Sequence, residues 1–150
     1  MKEMETGGTF AYNSNVPNSL VIRTDFANQQ AWEEICRLVR APVHEGGLTF
    51  HANVEFLDNS ELRDVPVHEL PERLPAGYEY SFLFVVDPAT ITHPEFAMLV
   101  VDLESGLRTF RTIPSQVQGI EKNLSIGNMG FEEFADAVGA DGIFRGFSKG

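Results

Sequence analysis

Cysteine is almost missing from this chain: Cys36 is the only one in 150 residues. A lone thiol excludes an intrachain disulfide and suits a reducing compartment. Long apolar runs are missing too. The longest, Phe96-Ala97-Met98-Leu99-Val100-Val101, falls far short of the roughly 18 residues a membrane helix needs, so no membrane span is expected. The start, Met1-Lys2-Glu3-Met4-Glu5-Thr6, lacks the basic-then-apolar order of a secretory signal, which points to a cytoplasmic location. Basic residues are scarce, with 11 Lys and Arg against 22 Asp and Glu, a net charge of −11 and a pI near 4.7. Such a surface repels phosphate, so nucleic acid is not an expected partner.

Catalytic and ligand motifs are equally thin. His44, His51, His68 and His93 show no metal-ligand spacing, and His68-Glu69 lacks the second histidine of a zinc helix, so no metal site is expected. Neither a Gly-x-Ser-x-Gly elbow nor a glycine-rich phosphate loop occurs, and no cofactor is called for.

What is present is a core. Hydrophobic residues make up 43% of the chain, with 12 Phe, and the length suits one domain. Residues 1–18 are rich in Gly, Asn, Ser and Thr without periodicity and read as a flexible leader before a single domain over 19–150. Acids crowd one stretch: Glu55, Asp58, Glu61, Asp64, Glu69, Glu72 and Glu79 face only Arg63 and Arg73. A solvated face is the plain account of that block, and a docking surface for a basic protein the sharper one, with Asp58, Glu61 and Asp64 at its centre.

The periodicities give the elements. Leu20 to Thr24 is a β-branched run, and Trp32, Ile35, Cys36 and Val39 then recur at helical spacing, with Asp25 or Asn28 as the cap. Phe50 to Leu57 alternates as a half-exposed strand. Pro66, Pro71 and Pro75 allow only a short turn, such as Val67 to Leu70, in the excursion from Asp58 to Gly77. Ser81 to Val86 and Phe96 to Val101 lack alternation and so belong at the centre of a sheet, covered on both faces. Glu104-Ser105-Gly106 turns the chain into a fifth strand, Leu107 to Ile113. Two helices close the chain, one after Pro114 and one carrying Phe131, Phe134, Ala135 and Val138. The expected fold is α+β, a mixed sheet of about five strands with one N-terminal and two C-terminal helices packed on it.

Two stretches resemble a known family: Leu20-Val21-Ile22-Arg23-Thr24-Asp25-Phe26 with Trp32, and Asn123-Leu124-Ser125-Ile126-Gly127-Asn128-Met129-Gly130-Phe131-Glu132-Glu133-Phe134-Ala135 leading to Asp141-Gly142-Ile143-Phe144-Arg145-Gly146-Phe147. The family consists of small bacterial and fungal proteins known only as a domain of unknown function, and the resemblance brings no activity, cofactor or catalytic residue. Gly130-Phe131-Glu132-Glu133-Phe134-Ala135 also resembles the closing helix of small immunity proteins that neutralise toxins.

Three runs end on aspartate: Asp25, Asp87 and Asp102. Ligands of open α/β sheets bind past the carboxyl ends of strands, so Asp25 and Asp87, with His93 in a nearby loop, are the catalytic candidates. Two such carboxylates also suit a hydrated Mg²⁺, although helix capping accounts for aspartates at these positions without it. Arg108, Arg111 and Arg23 are the notable cations near the sheet, with Arg23 and Arg111 the candidate anion-binding residues, set against pairing with internal acids. Asn123 and Asn128 are candidate ligand contacts, set against shaping the turn between two helices. Two functions compete: a non-catalytic module of the immunity or interaction type, binding a basic protein or a small molecule, and a small hydrolase or isomerase at the carboxyl edge of the sheet.

Overall fold

A computed structural model describes residues 18–147. Its first strand, β1 (Ser19–Arg23), is buried along its whole length, so both of its faces are covered. Asn28 then opens α1 (Gln29–Arg40) by accepting the Ala31 amide at 3.0 Å. Ala31, Trp32, Ile35, Cys36 and Val39 form the helix's buried stripe. A hairpin follows, β2 (Val43–Glu45) and β3 (Leu48–Phe50), turning on Gly46 and Gly47 at φ of 57° and 78°. Two successive left-handed residues are what a tight hairpin of this hand needs, and glycine supplies them without strain. The strand expected over Phe50 to Leu57 is therefore shorter, β4 (Val54–Leu57), because Phe50 closes the hairpin instead.

The excursion after β4 forms two 3₁₀ segments, Ser60–Leu62 and Val67–Arg73. Its prolines permit nothing longer. Then come β5 (Phe82–Val86), α2 (Pro88–Thr92), β6 (Met98–Asp102) and β7 (Thr109–Thr112), followed by α3 (Val117–Ser125), α4 (Phe131–Ala135) and β8 (Ile143–Phe144). The closing helix stops short of Val138.

The main sheet has six strands in the order β4-β1-β5-β6-β7-β8, and the β2-β3 hairpin stands outside it. β1 runs parallel to both of its neighbours, β5 to β7 alternate, and β8 is parallel to β7. The architecture is mixed α+β, with one strand more in the main sheet than the periodicities suggested. The two apolar runs are the central strands β5 and β6, buried on both sides as their lack of alternation requires.

The sheet's two faces carry different covers. On one, α1, α3 and α4 pack Trp32, Ile35, Ile120, Phe131 and Phe134 against Val21, Phe82, Phe84, Val100 and Phe110. On the other, the excursion packs Leu62 and Leu70 against Leu20, Ile22, Leu83, Val85 and Val101. The crossover from β1 to β4 uses the helical face and that from β4 to β5 the other, moving the opposite way along the sheet. Both therefore share one hand.

No helix among the described residues is long and apolar enough to cross a membrane. Apart from Asn18, the leader expected over 1–18 lies outside the described residues.

Candidate functional site

The carboxyl ends of β1, β4 and β5 open on one edge of the sheet, where the crossovers part to opposite faces. Such an edge is the usual ligand position of an open α/β sheet. Arg23, the last residue of β1, is only 2% exposed there. Its guanidinium lies 4.3 Å from the Phe26 ring and 5.2 Å from Trp32. It donates to Gln29 Oε1 at 2.9 Å, to the Asp25 carbonyl at 3.0 Å and to Asp58 Oδ1 at 3.2 Å. A buried guanidinium needs both a counter-charge and satisfied donors, and this ring of partners supplies them. The Asp64 amide donates to the Thr24 carbonyl at 2.9 Å, tying the excursion to the same corner.

On the other side of β1, Asp87 caps α2. Its carboxylate accepts the Thr90 amide at 3.1 Å and the Thr90 hydroxyl at 2.9 Å, and both Arg111 terminal nitrogens at 2.9 and 2.8 Å. Burial pushes this carboxyl up, but the Arg111 guanidinium and Thr90 outweigh it and hold Asp87 below the ordinary aspartate range. Asp25 accepts the Ala27 amide at 2.7 Å, a turn-forming bond. His93 closes α2, and its Nδ1 accepts the Glu95 amide at 3.0 Å, which leaves the neutral ring's proton on Nε2. Asp25, Asp87 and His93 thus share an edge, while each is bonded to a different local partner.

Asn123 and Asn128 belong to the far end of α3. Asn123 donates to the Gly119 carbonyl, and its side-chain oxygen accepts from Asn128 Nδ2, both at 2.8 Å. The Asn123 carbonyl also accepts the Asn128 and Met129 amides. Together these bonds fold the loop from 124 to 130, and the two asparagines contact neither arginine candidate.

Strand direction separates the three aspartates. β6 runs antiparallel to β5, so Asp102 pairs with Phe82 in the register and sits at the opposite, amino edge. It is 2% exposed, accepts the Glu104 amide at 2.9 Å and takes Arg108 Nε and Nη2 at 2.9 and 2.8 Å. Arg108 stands 5.1 Å from the Phe131 ring and 3.6 Å from Glu132 Oε1. This pair borders a cavity of about 340 Å³ between the start of β5, the β6-β7 turn and the 124–132 loop. Reading Asp102 alongside Asp25 and Asp87 hid this corner. The signal that finds it is local, since Asp102 and Arg108 flank the Glu104-Ser105-Gly106 turn symmetrically.

Glu121 and Cys36 have shifted titrations as well. Burial raises Glu121 on α3, against bonds from the Asn53 amide at 3.0 Å and the Ser125 hydroxyl at 3.2 Å. Burial pushes the Cys36 thiol up to about 11, so at neutral pH it is a protonated core side chain rather than a nucleophile. Among the described residues, no three His, Cys, Asp or Glu side chains cluster for a metal ion.

The family model described as "Domain of unknown function (DUF6924)" matches residues 18–147, and the chain belongs to that family. No curated protein matches the sequence.

Proposed function

We propose that this domain is a non-catalytic interaction module that docks a basic protein on the outer surface of its irregular cover. One observation carries the reading: the excursion buries Leu62 and Leu70 while Glu61, Asp64, Glu69 and Glu72 stay exposed. Residues anchored by an apolar underside present their charges from a fixed frame, which favours steering and register over a floppy acidic tail. A protein that acts by covering its partner, as an immunity protein does, needs only such a surface. The rival enzyme has less support, because Asp87, Arg111 and Arg23 spend their charges on one another and on Asp58.

The test compares two variants of equal net charge. Asp58 compensates a buried arginine, so the docking set is Glu61→Gln, Asp64→Asn and Glu72→Gln. The control neutralises Glu45, Glu133 and Asp136, exposed acids outside the excursion. A basic protein recovered with the wild-type domain should associate several-fold more slowly with the docking variant at low salt and at the wild-type rate with the control. Near 1 M salt, where the Debye length is about 3 Å, all three should converge. Equal slowing by both variants, or by neither, removes this face from consideration.

A further inference from the structure

We propose that the cavity at the amino edge of the sheet binds a small organic cation, an alkylammonium or guanidinium group on a hydrocarbon stem. This site is independent of the docking surface, being built from the helical side of the sheet and the β6-β7 turn. At about 340 Å³, the cavity falls within the size range of small-molecule sites. Its charged lining consists of Asp102, Glu104, Glu132 and Arg108. Arg108 commits Nε and Nη2 to Asp102, which cancels the charge of that buried carboxylate. Arg108 is also paired with Glu132 at 3.6 Å, so three carboxylates share one guanidinium and the lining stays net negative. An incoming anion meets Glu104 and Glu132, with Arg108 Nε and Nη2 already engaged by Asp102 and Glu132. A cation gains from both.

The rest of the lining suits the stem. Leu124 and Met129 join Phe82 and Phe131 as apolar wall, and both are partly buried against the core. The loop that carries Met129 is held by the Asn123 and Asn128 amides, so the wall is preformed. The Glu132 carboxylate folds back over Gly130, beside the Arg108 guanidinium at 3.6 Å. Ser81 and Ser105 add hydroxyls beside the carboxylates, which can accept the donors a cationic head has left over.

The test is an amide NMR titration of the ¹⁵N-labelled full chain with butylammonium, agmatine and, as the matched anion, butyrate. Both cations should give saturable shifts at Ser105, Gly127, Gly130 and Glu132, and butyrate none. The Glu104→Gln/Glu132→Gln variant, with an otherwise unchanged spectrum, should bind agmatine roughly five- to tenfold more weakly. A blocked arginine tripeptide distinguishes the source: binding as tight as agmatine assigns the cation to a protein side chain, and no binding beside tight agmatine assigns it to a free amine. Absence of saturable shifts with every cation, or shifts with butyrate equal to those with butylammonium, overturns the proposal.

Discussion

The same sheet is closed in two ways. On the helical face the cover is aromatic, with Trp32, Phe131 and Phe134 meeting Phe82, Phe84, Phe110 and Phe144. The Phe110, Phe134 and Phe144 rings lie 5.2 to 6.5 Å apart, several edge to face. On the other face the cover is aliphatic and nearly without regular structure, its leucines spaced by prolines rather than by a helical period. A sheet face needs apolar area over it, and a proline-rich segment supplies that as well as a helix does. What differs is the outside, where the irregular layer exposes Asp58, Glu61, Asp64, Glu69 and Glu72 against Arg63 and Arg73.

The sharpest way to break this equivalence is to hollow out each cover in turn. Trp32→Ala should cost about 3–5 kcal/mol and Leu70→Ala about 2–5 kcal/mol, read from urea melts. If Leu70→Ala leaves the global transition in place, the irregular layer is a detachable flap and the two covers are not equivalent. A smaller effect separates acids that hold the fold from acids that decorate it. Asp87→Asn should cost about 1–3 kcal/mol through its cap and its arginine pair, whereas Glu72→Gln should stay within about 0.5 kcal/mol. Asp87 has a lowered folded pKa, so its contribution is present above the ordinary aspartate range and is lost as pH falls through the folded value.

The smallest expected effect concerns Glu121, the acid the helical cover buries where the irregular cover exposes its own. Burial raises its folded pKa, so folding favours the protonated form more than the unfolded chain does. Stability from this group is greatest at acid pH and is lost as pH rises through the folded value. Glu121→Gln keeps both hydrogen bonds in reach and should melt slightly above wild type at pH 7, with the two converging near pH 4. A variant less stable at pH 7 would mean that the ionised form is what the site requires.

Much of this was readable from the chain. β5 and β6 announced their central position through unbroken apolar runs, and the stripe from Trp32 to Val39 marked α1, whose cap the sequence left between Asp25 and Asn28 and the structure gives to Asn28. The elements that escaped notice are those whose cause is distant or conformational. β8 has two residues and exists because Arg111 and Thr112 offer it a partner. The β2-β3 hairpin is almost wholly exposed and its strands are three residues each, too short to show a period, so only its glycine pair betrayed it. α2 is five residues long and is nucleated by Asp87 and Thr90 bonding each other's amides. The amino-edge cavity was hidden for a third reason. Which end of the sheet an aspartate reaches depends on strand direction, a property that no local pattern in β6 encodes.

The order of the strands also bears on how this chain behaves when crowded. Sheets that end on long, flat, apolar strands recruit further strands from other copies and grow into aggregates. Here the outermost strands are β8, with two residues, and β4, with four. β4 carries Glu55 in its middle, where burial already raises the carboxyl. A foreign strand laid along that margin would bury the acid further, and one laid along β8 would find almost no ladder to extend. The fold therefore resists polymerising through its own sheet at both borders.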